Sequence, residues 1–468
     1  MFIGREKELN ELEKLYAADQ FQMPVIYGRR RIGKSTLIQE FAKNKKAVLF
    51  TAIESSAQRN LELFSQNIYK ILAPELPALS AFPTFEAAFD FLNESARKER
   101  LIVVIDEYPY LAAADKSISS ILQLYIDQKF KNGKMYLILC GSSMSFMENQ
   151  VLGYQSPLYG RRTAQFKIQP FDYETASRFV PGYSAEDKAL VYGVTGGVPR
   201  YLELFMSDFS VHENIIRLFF NDSGYLYEEP GNLLKQELRE AGTYNTVIEA
   251  VAAGANRINE ISTKTHLDPP TVSYCLKTLI SLEIVEKENS ITDENNRKKV
   301  SYMISDQMFR FWYRFVPVGI SMIVSRDGKS YYEQAVKPLL SDYMGKVFEN
   351  MCKNYLMEMS RQKKLPFIIL KIGRWWGNNP IKKREEEIDL IGVNNIEKRM
   401  ILGECKYRNE KLSLETLKKL EERSSLLPGH WQQHFILFSK SGFTDTVRKY
   451  AEDNNIIMIT LEEMYLAD

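Results

Sequence analysis

Three short stretches carry residue types whose spacing could do chemistry. The first is Gly28-Arg29-Arg30-Arg31-Ile32-Gly33-Lys34-Ser35, with Thr36 behind it, and it fits G-x-x-x-x-G-K-[ST]. Gly28 and Gly33 let the backbone curl so that successive N–H groups face an anion. A helix starting near Lys34 adds its positive end to the same point. Lys34 supplies a point charge for the β- and γ-phosphates of ATP, and the Ser35 hydroxyl supplies a hard ligand for Mg²⁺. The plainer reading is a Gly-rich surface turn with an incidental lysine. The context argues against it, because Val25 and Ile26 in front read as a buried strand and Leu37, Ile38 and Phe41 behind space like a helix face.

The second stretch is Leu101-Ile102-Val103-Val104-Ile105-Asp106-Glu107, an apolar run too short for a helix that ends in two carboxylates. Such a strand aims Asp106 at the Mg²⁺ shell and places Glu107 to polarise an attacking water. Alone it could be a core strand with acidic residues in its exit loop. The third stretch is Asp389 followed by Glu404-Cys405-Lys406, on two strand-like segments separated by the polar turn Asn394–Arg399. Antiparallel pairing would bring Asp389 and Glu404 together, and Glu404 and Lys406 project on one face. Two carboxylates can hold a divalent cation through hard oxygens, and a lysine beside them can position or deprotonate a water that attacks a phosphodiester. The competing reading is an acidic–basic ladder without chemistry.

The elements that must position these residues follow from the hydrophobic pattern. Leu9, Leu12 and Leu15 mark an opening helix. Ala47–Thr51, Met135–Cys140 and Gln165–Ile168 read as further strands, with helical patterns at Asn60–Leu72 and Thr84–Lys98 punctuated by Pro74, Pro77 and Pro83. Strands alternating with helices predict a parallel α/β sheet. Ser142 and Ser143, at the tip of the fourth strand, are expected to sense the γ-phosphate. Arg161 and Arg162 could stabilise transition-state charge in cis or from a neighbouring subunit of a homo-oligomer, or could serve only as structural salt bridges.

The order of these motifs resembles AAA+ ATPases, in the archaeal-type branch related to origin-recognition initiators and signalling STAND NTPases. The carrying residues are Phe2-x-Gly4-Arg5-Glu6, the phosphate loop, Ile105-Asp106-Glu107, Gly141-Ser142-Ser143, Tyr159-Gly160-Arg161-Arg162 and Gly196-Gly197-Val198-Pro199. The resemblance implies an adenine pocket bordered by the first segment and a helical lid over 171–236 containing Gly-Gly-x-Pro. Arg200, just after that proline, does not align with a sensor-2 arginine.

Residues 237–310 change character. Thr246–Ala253, Ile258–Ile261 and Pro270–Leu282 read as helices, and 284–287 and 300–303 as a hairpin, a winged helix-turn-helix pattern. Val272, Leu276, Leu279 and Ile280 form its apolar face, leaving Thr271, Ser273, Tyr274 and Lys277 outward. A DNA reader would place that helix in the major groove and Arg297-Lys298-Lys299 of the wing on phosphates. Over 311–468, a helix opening at Gly345–Glu349, a strand ending at Arg374–Trp376, helix 414–426 and strands 435–438 and 456–459 surround the third stretch. That arrangement resembles the PD-(D/E)XK restriction-endonuclease-like fold, whose carry-over makes Glu349 the helix-borne carboxylate, Asp389 and Glu404 metal ligands, and Lys406 the catalytic lysine.

The bulk properties bound the function. A chain of 468 residues has room for roughly three domains, and the segments above divide it at 170, 236 and 310. Lys and Arg total 61 against 60 Asp and Glu, which excludes nucleic-acid binding by bulk charge but not by a local groove. Cys140, Cys275, Cys352 and Cys405 show no C-x-x-C spacing, so no disulfide framework or zinc site is indicated. No apolar run approaches the ~18 residues of a membrane helix, and a soluble cytoplasmic protein is expected. The resulting reading is an ATP-hydrolysing protein that acts on DNA, with metal-dependent cleavage in its last domain. A STAND-like switch whose last domain only binds, and a winged-helix transcriptional regulator, stand beside it.

Overall fold

The computed structural model describes residues 2–75, 81–292, 300–427 and 429–466; Pro77 and the wing residues Arg297, Lys298 and Lys299 lie outside these. The chain divides into two compact units, Met1–Pro170 and Phe171–Asp468.

The first unit is built on β1 (Pro24–Tyr27), β2 (Ala47–Thr51), β3 (Leu101–Asp106), β4 (Met135–Gly141) and β5 (Ala164–Lys167). They form one sheet in the order β2-β3-β4-β1-β5, with every pairing parallel. The strands read as near-continuous apolar runs because helices cover both faces. Val25 and Tyr27 point into a core shared with helices Ala57–Leu72, Phe85–Lys98 and Ile118–Gln128. Ile26 points into a second core with helices Glu6–Ala17 and Lys34–Ala42. Ser56 and Thr84 set two helix starts by accepting from the N–H groups of Arg59 and Ala87. Parallel strands end together, so the turns after β1, β3 and β4 open at one sheet edge, the ordinary ligand crevice of such sheets.

The second unit begins with helices that include Ala185–Thr195 and Val211–Phe219. Gly197 has φ +71°, and a Cβ there would lie 1.9 Å from the Phe171 carbonyl oxygen. Only glycine permits that approach, which closes with a 2.8 Å bond from Phe171 N–H to the Gly197 carbonyl. Next come helices Ala241–Ala252, Ile258–Thr265 and Pro269–Ser281, then β6 (Val285–Asn289) and β7 (Val300–Ile304) as an antiparallel hairpin. His266, with φ 58°, ends the middle helix, and Asp268 caps the next by accepting from Thr271 N–H. Val272, Cys275, Leu276 and Leu279 are buried, Ile280 is half-buried, and Ser273, Tyr274 and Lys277 are exposed.

The last sheet contains β8 (Lys371–Asn379), β9 (Arg384–Asn394), β10 (Arg399–Lys406), β11 (Gln432–Ser439) and β12 (Ile457–Thr460), in the order β12-β11-β10-β9-β8. β8, β9 and β10 pair antiparallel, while β10, β11 and β12 run parallel. Arg374 to Trp376 lie inside β8 rather than at its end, because pairing with β9 carries the strand on to Asn379. Helix Leu340–Arg361 covers one face, sharing a core with Leu390, Ile401 and Phe438. Helices Leu414–Ser424 and Asp445–Asp453 cover the other, over Ile388, Met400 and Leu402. One apolar cluster runs from Phe171 through Val272 to Leu356 and Met464, so the segments 171–236, 237–310 and 311–468 pack as one unit.

Candidate functional site

The turn after β1 has the backbone that its glycines permit. Gly28 has φ +151° and Gly33 φ +85°, and a Cβ on Gly28 would lie 2.4 Å from the Ile168 carbonyl oxygen. Arg31, between them, is also at positive φ, 70°. Helix Lys34–Ala42 starts directly after Gly33. Lys34 is buried, and its Nζ donates to the carbonyls of Gly28 and Arg29, each at 2.8 Å. Burial pushes the Lys34 ammonium below its ordinary value, opposed by Cys140, Glu107 and Asp106. An anion delivered to this ammonium would offset that desolvation.

The neighbouring strands complete the constellation. The Ser35 hydroxyl donates to Asp106 Oδ2 at 2.9 Å, so the serine and the carboxylate present hard oxygens side by side. That donor set suits Mg²⁺, which takes one or two protein oxygens and completes its shell with phosphate and water. Glu107 lies at φ 50°, a region rarely occupied by residues other than glycine. Its carboxylate accepts from the Ser142 hydroxyl at 2.8 Å and the Ser142 N–H at 3.2 Å. Ser142 thus contacts the acidic residue expected to activate water. Thr36 is exposed, Ile32 is buried, and Arg30 donates to the Tyr110 hydroxyl at 2.8 Å. Arg5 Nη2 donates to the Ile32 carbonyl at 3.2 Å, tying the opening segment to the loop.

The two arginines before β5 differ. Arg161 Nε lies 3.1 Å from Asp127 Oδ2, and its Nη1 donates to the carbonyls of Pro157 and Tyr159 at 2.9 and 3.1 Å. Hydrogen bonds from Arg161 and then Lys131 hold Asp127 below its ordinary carboxylate value. Arg161 therefore has a structural partner in its own chain. Arg162 is half-buried in the turn that follows.

In the second unit the antiparallel register pairs Leu390 with Gly403, which brings Asp389 and Glu404 next to each other on adjacent strands. Both are buried, at 7% and 3% exposure. Lys406 Nζ lies 2.6 Å from Glu404 Oε1 and 3.3 Å from Asp389 Oδ2, and the Cys405 N–H donates to Asp389 Oδ2 at 3.0 Å. Burial pushes Glu404 above its ordinary value and the neighbouring Asp389 adds to this. Burial works against the Lys406 ammonium, but the two carboxylates outweigh it and hold the lysine above its ordinary value. The three side chains behave as one electrostatic unit.

Glu349 is placed differently. It rides on the helix covering one face, where Lys346 Nζ contacts it at 2.8 Å and Arg374 Nε at 3.5 Å. Burial raises it from its ordinary value against the pull of these cations. Among the described residues, no group of three or more His, Cys, Asp and Glu is arranged to hold a metal ion. Glu349 also feels the Asp389 carboxylate, which adds to its rise, while Lys346 and Arg374 pair with it. Two contributors carry no motif. Arg423 contacts Glu404 Oε2 at 3.3 Å and Glu386 Oε2 at 3.2 Å, while Arg374 also reaches Glu387 at 2.8 Å and Glu288 at 3.5 Å. Only a charge on helix Leu414–Ser424 beside a carboxylate-rich strand hinted at the first of these.

Comparison with known proteins assigns the chain. A family described as an ATPase domain predominantly from Archaea matches residues 2–205. An uncharacterized protein of Methanocaldococcus jannaschii is 35% identical over 413 residues, covering 88% of this chain and 88% of that protein. The chain belongs to this archaeal P-loop ATPase family. Elsewhere in the ATPase, an IclR helix-turn-helix domain matches residues 246–289, and a family described as archaeal and bacterial proteins of unknown function matches 312–423. An uncharacterized ATP-binding protein of the same organism is 44% identical over 46 residues, 10% of this chain and 78% of that protein. The Walker-type ATPase of Pyrococcus abyssi aligns with a TM-score of 0.51 at 20% identity, over 67% of this chain and 96% of that one, a likeness of fold. No helix among the described residues of the ATPase is long and apolar enough to cross a membrane.

Proposed function

We propose that this ATPase acts on DNA, and that ATP hydrolysis in the first unit governs phosphodiester cleavage in the second. In the first unit Lys34 would neutralise the β- and γ-phosphates, Ser35 and Asp106 would hold Mg²⁺, and Glu107 would polarise the attacking water. The observation that carries the nuclease reading is the convergence of Asp389, Glu404 and Lys406, with the lysine 2.6 and 3.3 Å from the two carboxylates. Buried carboxylates pressed together, one with a raised pKa, suit a divalent cation. That cation, when bound, would supply Lewis acidity at a phosphodiester oxygen. Asp389 and Glu404 would hold it. Lys406 would turn from the carboxylates to a phosphate oxygen and position the water. The restriction-endonuclease-like reading is further supported by a mixed sheet with helices on both faces and the triad on two central strands.

One observation favours a switch in which this domain only binds. Lys406 and Arg423 already neutralise Glu404, so the cluster is charge-balanced without a metal. Incubation with plasmid, oligonucleotides and RNA, with and without Mg²⁺, Mn²⁺ and ATP, separates the readings. Cleavage that requires a divalent cation supports the nuclease. Binding without cleavage under every condition supports the switch.

A further inference from the structure

Between the helix-turn-helix hairpin and the last sheet lies a cleft of about 560 Å³. One wall carries Asn256, Arg257 and Ser301; the other carries Arg374, Trp376, Arg384 and Arg423. Backbone bonds fix both walls. Ile291 N–H donates to the Arg374 carbonyl at 3.0 Å, Ser290 Oγ bonds both Trp376 N–H and its carbonyl at 3.3 Å, and Tyr302 N–H donates to the Asn256 carbonyl at 2.8 Å. The cleft adjoins the triad, because Arg423 in its lining touches Glu404.

We infer that this cleft takes a single-stranded stretch of nucleic acid, whose bases stack on Trp376 and whose phosphates contact Arg257 and Arg384. The inference deepens the DNA-acting reading above and rests on it. Size is the first argument. A cavity of about 560 Å³ falls in the range that encloses a small-molecule-sized group, so it can admit an unstacked base with its sugar and phosphate but not a base-paired duplex. Charge is the second. Glu385, Glu386 and Glu387 share the lining with the arginines, so the cleft is close to neutral. It lacks the one-signed field that rewards the dense phosphate charge of a duplex. Single-strand grooves add to their phosphate contacts the stacking of bases on aromatic rings, which tolerates any base. Trp376, half-buried, is the aromatic side chain in the lining. Arg257 stands exposed at the mouth, and Arg384 is 64% exposed beside Glu386. Glu386, 5% exposed, keeps its contact with Arg423 at 3.2 Å, so Arg384 can turn to a phosphate without leaving that buried carboxylate unpaired.

Fluorescence anisotropy in EDTA, which prevents metal-dependent cleavage, tests this with the full chain. The probes are a short fluorescein-labelled DNA strand, the RNA of the same sequence and the corresponding blunt duplex. The single strand is expected to bind at least tenfold more tightly than the duplex. Trp376→Ala and Arg257→Ala should each weaken it on the order of tenfold, and Trp376→Phe should retain it. RNA that binds as well as DNA supports the inference for either sugar; RNA that binds less supports it for DNA. Duplex binding as tight as single-strand binding overturns it. So does single-strand affinity unchanged in both Trp376→Ala and Arg257→Ala, the second being an exposed residue whose loss spares the core. Binding without later cleavage in Mg²⁺ or Mn²⁺ with ATP removes the nuclease and leaves this inference. Cleavage by a Trp376→Ala protein with unaltered strand affinity does the reverse.

Discussion

Ser142 and Glu107 are joined by two hydrogen bonds, from the serine hydroxyl at 2.8 Å and its N–H at 3.2 Å, onto one carboxylate oxygen. The serine at the tip of β4 therefore aims the carboxylate that would polarise water. Ser142→Ala removes one of these bonds, worth about 1 kcal/mol net. Steady-state ATPase assays should show kcat lowered roughly fivefold with KM for ATP little changed. An equal loss in nucleotide affinity would make Ser142 a phosphate ligand instead.

Lys34 and Glu107 should separate binding from hydrolysis. Lys34→Ala deletes the ammonium that caps the loop carbonyls of Gly28 and Arg29, and it should abolish ATP binding while the circular dichroism spectrum stays native. Glu107→Gln should bind ATP and hydrolyse it slower by on the order of 10²–10⁴. Hydrolysis at the native rate in both variants would refute the site.

Arg161 and Arg162 should diverge. Arg161→Ala breaks the pair with Asp127 and two carbonyl contacts, so its main effect is expected on the melting temperature of the first unit. If Arg162 acts in trans, ATPase activity per molecule should rise with protein concentration, and Arg162→Ala mixed with Lys34→Ala should regain activity. Activity independent of concentration across the range where oligomers form would confine Arg162 to its own chain.

Asp389, Glu404 and Lys406 should fail together. Asp389→Ala and Glu404→Ala should each eliminate cleavage, and each should eliminate the divalent-metal binding that calorimetry detects when the phosphate loop is silenced by Lys34→Ala. Groups acting as one unit are non-additive, so the double variant should be no worse than either single. Lys406→Ala should keep metal and DNA binding but lose turnover. ATP hydrolysis should survive all three changes, because the phosphate loop belongs to the other compact unit. Undiminished cleavage by Glu404→Ala would promote the switch reading.

What the sequence determined by itself is what local physics dictates. Apolar runs such as Leu101–Ile105 specify strands, glycines at 28 and 33 mark the turn whose positive φ they supply, and Pro270 marks a helix start that the fold sets one residue earlier, at Pro269. The adjacency of Asp389 and Glu404 was legible for a related reason. Two strands joined by a short polar turn pair in antiparallel register, so their partners follow from counting.

Contacts between residues far apart in the chain were decided only by tertiary structure. Ser142 meets Glu107 because β3 and β4 lie side by side in parallel, and Arg423 meets Glu404 because helix Leu414–Ser424 folds back over β10. Arg374 gathers Glu288, Glu349 and Glu387 from three elements. No periodicity encodes such meetings, since a charged side chain on a helix or strand has the same local signature whichever partner packing brings it. The same holds for the shared core beyond Phe171. Each apolar face is written in the sequence, but which face covers which follows from burying them all at once.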